Sequence, residues 1–101
     1  MSIEVEKKEG VCTLFPEGWV DSANAVDLEQ TVSENVGECE KMIIDLAGVD
    51  YLSSAGLRVV VSAHREMEKK QGLYLRNLSK NVNDIIRLTG FDKKLHIEKA
   101  E

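Results

Sequence analysis

The sequence predicts a small single-domain α/β protein with a mixed β-sheet, its elements running β-β-α-β-α-β-α-β. Three observations carry this. A short alternating run at the N-terminus and a second, more apolar run are joined by Glu9-Gly10, a hairpin signal. A nearly continuous apolar run, Met42 to Leu46, reads as a strand buried on both faces. Three stretches of helical periodicity each lead into a further strand. The β-α-β steps imply parallel neighbours with right-handed crossovers, and the opening hairpin adds an antiparallel pair. A chain of 101 residues can build one core and is too short for two, so one domain is expected over residues 1–101.

Taken in order, Ile3 and Val5 alternate with polar neighbours as a half-exposed strand does. Val11-Cys12-Thr13-Leu14-Phe15 forms the second arm of the hairpin. Pro16, the only proline, has no amide proton for a ladder, so Phe15-Pro16-Glu17-Gly18 marks a strand leaving its sheet. Asp21 or Ser22 is suited to cap the first helix, where Ala25, Leu28, Val32 and Val36 recur at helical spacing before Gly37 stops it. Met42-Ile43-Ile44-Asp45-Leu46 is the most apolar strand and the expected centre of the sheet. A second helix is expected from about Ser54 to Lys70, with Leu57, Val60, Val61 and His64 on one face and Gly72 ending it. Leu73-Tyr74-Leu75 starts the next strand. Ser79 caps a third helix lined by Val82, Ile85, Ile86 and Thr89, Gly90 closes it, and Leu95-His96-Ile97 is a short last strand. Functional residues in such sheets gather at strand C-terminal ends, which puts Ser53 and Ser54 at a functional edge.

Composition narrows the function classes. Hydrophobic residues make 43% of the chain and charged residues 31%, as in soluble globular proteins. The longest apolar stretch, Leu57 to Ala63, contains Arg58 and is far too short to span a membrane. Met1 to Lys8 shows no apolar h-region, so the cytoplasm is the expected location. The net charge of −5 comes without a basic stripe of the kind a nucleic-acid binder carries, which favours a protein partner or a small ligand. Cys12 and Cys39 match no metal spacing; they could form one bridge at most and are expected as thiols in or near the core.

The most informative stretch runs from Asp45 to Arg58, where a strand passes through a short loop into two adjacent serines and then a helix. One serine before a helix is explained by capping, which satisfies an orphan N–H for about 1 kcal/mol. The second is redundant for that purpose. Gly56 in the first helical turn costs up to about 1 kcal/mol against alanine, so a close approach by another surface is expected there. Ser53, Ser54, Ala55 and Gly56 together make a low-profile patch suited to docking. A phosphate on such a serine adds about −1.5 to −2 charges. The helix N-terminus tolerates it, with about 0.3–2 kcal/mol of local stabilisation. A docked partner does not: an unfavourable coupling of about 3–4 kcal/mol weakens binding more than a hundredfold.

With those residues in view, the chain resembles the STAS domain of bacterial anti-sigma factor antagonists over essentially its whole length. Gly18-Trp19-Val20-Asp21 is similar to the family's Gly-x-Leu-Asp approach to helix one. Ser54-Ala55-Gly56-Leu57 is similar to its phosphoserine turn, and Leu88-Thr89-Gly90-Phe91 to its late Leu-Thr-Gly turn. The resemblance implies a mixed sheet with helices mainly on one face, and a partner switch. The unphosphorylated protein binds an anti-sigma factor and so releases a sigma factor. The anti-sigma factor is itself an ATP-using serine kinase that phosphorylates the antagonist and lets go, and a metal-dependent serine phosphatase reverses the step. By position the phosphoserine is Ser54 and the helix-one aspartate Asp21. Partner contacts are expected from Asp21, Ser53, Ser54, Ala55, Gly56, Leu57 and Arg58. Ser53 stands where many members have aspartate, and Ala55 where they have a second hydroxyl, which leaves Ser53 as a second-choice acceptor. The alternative is a constitutive STAS interaction subunit of a lipid ABC transporter or of a stress-signalling scaffold.

Other residues carry less. Asp21, Asp45 and Asp50 lack a nearby His or Cys to complete a metal or acid–base site, so no metal and no cofactor is expected. His64 reads as a half-buried structural residue, and neither it nor His96 has a nucleophile and acid at triad spacing; the chain is not expected to be an enzyme. Trp19 could belong to the core or anchor an interface. Arg58, Arg65 and Lys69 form a basic stripe on helix two, either a solvated face or a contact for an acidic partner surface.

Overall fold

The computed structural model of the chain describes residues 1–98. The elements are β1 (Ile3–Lys8), β2 (Val11–Pro16), β3 (Gly18–Val20), α1 (Ala25–Val36), β4 (Lys41–Asp45) and β5 (Val49–Leu52). They continue as α2 (Ser54–Met67), β6 (Leu73–Arg76), α3 (Lys80–Thr89), a short 3-10 turn at Phe91–Lys93 and β7 (His96–Ile97). The main sheet has the order β1-β2-β4-β6-β7, with β1 antiparallel to β2 and every other pair parallel. The hairpin turn Glu9-Gly10 has positive φ at both residues, 51° and 82°, the geometry whose twist matches that of the strands it joins.

The expected α/β class, the mixed sheet and the central strand are all present. Two strands were not anticipated. β3 and β5 pair in parallel as a separate two-stranded ribbon, held at its ends by Gly18 N–H to the Gly48 carbonyl (2.8 Å) and Ser53 N–H to the Val20 carbonyl (2.8 Å). Each is too short to show a period, and each pairs only with the other, so neither leaves a local signal. The second helix also stops earlier than expected, at Met67, because Lys70 turns aside to donate its Nζ to the carbonyls of Val36 and Cys39 (2.8 Å each). The Gly72 N–H closes the end on the Met67 carbonyl at 3.0 Å. Ser79 and Gly90 cap α3 as expected, the Ser79 hydroxyl accepting the Val82 N–H at 3.2 Å.

Side chains alternate cleanly across the sheet. Cys12, Met42 and Leu73 lie in register on one face, as do Leu14, Ile44 and Leu75, and all six are fully buried. The buried apolar side chains of all three helices join them in one cluster. Thr13, Ile43 and Tyr74 occupy the opposite face, and Thr13 and Ile43 stand outside that cluster. The helices therefore cover one face of the sheet. Cys12 and Cys39 are buried free thiols, and burial, with the neighbouring Cys12 thiol, pushes Cys39 up to about 11, so it stays protonated and unreactive at neutral pH.

Asp45 fastens β4 to β6 at the C-terminal edge. Its carboxylate accepts from Arg76 Nε (3.0 Å) and Nη2 (2.9 Å), from Asn77 Nδ2 (3.0 Å) and from the Ala47 N–H (3.0 Å). Burial alone would raise its pKa, but these donors outweigh burial and hold the carboxyl below its ordinary value. A carboxyl depressed by folding stabilises the fold fully above its unfolded pKa of about 3.9, and that contribution disappears as the pH falls through the lower, folded value. Asp45→Asn is therefore expected to cost about 1–3 kcal/mol at neutral pH. In urea titrations at a series of pH values, the gap between the two proteins should close in acid below about pH 4.

Candidate functional site

The turn from β5 into α2 is built so that its two serines do different work. Ser53 is the helix N-cap, with extended backbone (φ −71°, ψ 168°); its hydroxyl accepts the Gly56 N–H at 3.1 Å and its carbonyl accepts the Leu57 N–H at 2.8 Å. It is only 6% exposed. Ser54, the first residue of the helix, is exposed, and its side chain makes no hydrogen bond among the described residues. The backbone N–H groups of this first turn point to the end of the helix where Ser54 sits, so the local potential favours an anion.

Gly56 corrects one expectation. The surface that approaches it is not an external partner but the chain itself. A Cβ at this position would lie 2.7 Å from Val20 Cγ1 and 2.9 Å from Leu52 Cδ1, the inward side chains of the β3–β5 ribbon. Gly56 and Leu57 are buried, as is Ser53, so these three position the turn and leave Ser54, the half-buried Ala55 and Arg58 to face outward.

Ser54 stands on the rim of a groove of about 730 Å³ between the helices. Arg58 and Arg65 of α2, Val26 and Glu29 of α1, and Phe91 after α3 line it. Arg58 lies one helical turn beyond Ser54, within the reach that residues at this spacing share. Two of the three cations of the expected basic stripe thus face the groove, while Lys69 sits outside it near Glu66 (3.8 Å). Val26 is the groove residue the sequence could have flagged, because it is an apolar side chain out of phase with Ala25, Leu28 and Val32 and is 57% exposed.

Asp21 is exposed beside this turn and caps a preceding turn rather than α1 itself. Its carboxylate accepts from the Ala23 and Asn24 N–H groups (2.9 and 2.8 Å), while its own N–H donates to Asn24 Oδ1 (2.8 Å). α1 begins only at Ala25, with Asn24 at the cap position. Asp45 is committed to Arg76, and Asp21 and Asp50 are exposed; among the described residues no group of three or more His, Cys, Asp or Glu is arranged to hold a metal. His64 is more deeply buried than expected, at 6% exposure, with Nε2 3.0 Å from Glu68 and its ring 5.3 Å from that of His96. Trp19, left between core and interface by the sequence, is 65% exposed.

The lack of room at Gly56 makes a measurable prediction. Gly56→Ala raises helix propensity by about 1 kcal/mol, yet the added methyl must displace the stiff Val20 side chain. Overpacking of this kind costs about 1–3 kcal/mol, so the substitution should lower the urea midpoint rather than raise it.

The turn and its groove can be set beside known proteins. The STAS domain family model matches residues 2–101. BtrV of Bordetella bronchiseptica, whose name assigns it to the anti-sigma factor antagonists, is 36% identical over 93 residues, or 90% of this chain and 80% of that protein. The crystal structure of an anti-sigma factor antagonist from Mycobacterium paratuberculosis shares the fold with a TM-score of 0.89 at 27% identity, over 98% of this chain and 86% of that one. SpoIIAA, a Bacillus cell fate determinant, shares it at 17% identity in both of its states. The unphosphorylated form gives a TM-score of 0.77 over 99% of this chain and 90% of its own, the phosphorylated form 0.74 over 97% and 92%. A family match spanning almost every residue, on a sheet and helices that superpose this closely, leads to one conclusion: the chain belongs to the STAS domain family.

Proposed function

We propose that this protein is an anti-sigma factor antagonist switched by phosphorylation of Ser54, acting by binding rather than by catalysis. The observation that carries the reading is the division of labour at the turn: Ser53 is buried and occupied as the helix cap, while Ser54 is exposed on the groove rim. The unphosphorylated protein docks its groove on an anti-sigma factor and frees a sigma factor. The anti-sigma factor, acting as a serine kinase, transfers the γ-phosphoryl group of ATP to Ser54 Oγ, with release of ADP and the hydroxyl proton. A metal-dependent phosphatase hydrolyses the ester, returning the serine and inorganic phosphate.

The physics supports a switch that leaves the fold intact. The phosphate adds about −1.5 to −2 charges at the positive end of α2. Arg58, one turn on, is in reach of it, so the modification also withdraws a basic contact from the partner. Asp21, Ser54, Ala55 and Arg58 make the direct contacts in this reading, with Ser53, Gly56 and Leu57 holding them in position. No helix among the described residues is long and apolar enough to cross a membrane. In this reading the switch operates in the cytoplasm.

Incubation with ATP and the cognate anti-sigma serine kinase should add one phosphate by mass spectrometry. Ser54→Ala should abolish the gain, whereas Ser53→Ala should retain it in a less stable protein, by about 0.5–2 kcal/mol. Full-rate phosphorylation of Ser54→Ala would overturn the assignment. Ser54→Asp should weaken binding of the kinase more than a hundredfold by calorimetry, an unfavourable coupling of about 3 kcal/mol or more.

A further inference from the structure

Of the four large hydrophobic side chains exposed among the described residues, three lie together. Trp19, Tyr51 and Leu88 line a shallow hollow of about 660 Å³, with Asn81, Ile85, Asp50 and Asp84 completing it. Scattered exposed apolar residues need no explanation, but a contiguous aromatic and aliphatic patch rimmed by polar groups does. The fold makes no use of it. The β3–β5 ribbon turns Val20, Val49 and Leu52 into the core, all at most 1% exposed, and sends Trp19 and Tyr51 outward with ring centroids 5.6 Å apart. Leu88, 87% exposed, falls outside the inward pair of α3, Val82 and Ile86.

We infer that this ledge receives an arginine-bearing apolar segment of the anti-sigma factor, an inference that rests on the partner-switch reading. Two features select that occupant. The first is charge: Asp50 and Asp84 are both exposed on the rim, and neither forms an ion pair among the described residues. Arg87 shares the adjoining hollow with Asp84 and Leu88 but pairs with neither carboxylate. Indole and phenol faces beside unpaired carboxylates suit a planar guanidinium, which stacks on the rings and pairs with the acids at once.

The second feature is continuity with the serine turn. Trp19 and Tyr51 precede Asp21 and Ser53 by two residues on the paired strands, and Leu88 adjoins Thr89, which lines the Ser54 groove. A partner seated at Ser54 therefore reaches both hollows. It meets Arg58 and Arg65 in one and Asp50 and Asp84 in the other. Opposite charges at the two ends of one interface fix the orientation in which a partner docks.

Trp19 is the only tryptophan, so it reports on the ledge directly. The full chain, biosynthetically labelled with fluorotryptophan, gives one fluorine resonance, which can be followed while the cognate anti-sigma serine kinase is titrated in and binding is measured by calorimetry. The resonance should shift in step with complex formation. Trp19→Ala should weaken binding about tenfold or more, as buried aromatic anchors do. Asp84→Lys, at an exposed position, should weaken it by a similar factor, and the loss should shrink at high salt. A complex that forms with the resonance unmoved and with Trp19→Ala affinity unchanged would overturn the ledge while leaving the switch intact. A resonance that moves with the concentration of the chain alone would assign the ledge to a second copy and also overturn it. Failure of the kinase to bind at all would remove the switch reading and this occupant with it.

Discussion

The first turn of α2 is pressed onto the β3–β5 ribbon closely enough that position 56 has no space for a Cβ. Much of the local arrangement depends on that contact. It fixes where the helix begins relative to Val20 and Leu52, and the Ser53 N–H bonded to the Val20 carbonyl locks the same junction through the backbone. With the start of α2 fixed, Ser53 turns inward and Ser54 outward, and α1, which packs on α2, sets the width of the groove. The ribbon itself consists of only two short strands, so its stability comes from the helix that covers it as much as from its own ladder.

Much of this was legible in the sequence because much of it is local. The hairpin turn, the central strand, and the Ser79 and Gly90 caps of α3 are each specified by a few neighbouring residues, and each is where those residues put it. The ribbon was not legible, since Gly18–Val20 and Val49–Leu52 are strands only in each other's company. Gly56 was read correctly as a sign of close approach, but which surface approaches is decided by Val20, distant in sequence. Trp19 stayed open in the sequence for a related reason: in a strand of three residues there is no alternation from which to judge which side faces in. The end of α2 was missed because Lys70 is drawn to carbonyls of the α1–β4 connection, a tertiary contact invisible to helix periodicity.

Charge is distributed around the turn with some economy. Asp45, at the same edge of the sheet, is wholly consumed by Arg76, Asn77 and the Ala47 amide, so it holds strands together and offers nothing outward. Asp21 is half consumed: its carboxylate organises the turn before α1 while remaining exposed. Arg58 and Arg65 are uncommitted among the described ion pairs and face the groove. The carboxylates that the fold needs are thus separated from the charges available to a partner, and a modification among the latter need not disturb the former.

The burial of Ser53 has a consequence in terms of information. A turn with two adjacent hydroxyls could in principle store four states, unmodified, modified at either hydroxyl or modified at both, and a kinase would face two competing nucleophiles. One hydroxyl here is shut from solvent and engaged with the Gly56 amide, so the same sequence exposes a single reactive oxygen. Under the proposed phosphorylation of Ser54, the turn holds one bit. A signal read from it would then be binary for each molecule, and any graded response would come from the fraction of molecules modified rather than from intermediate states of any one of them.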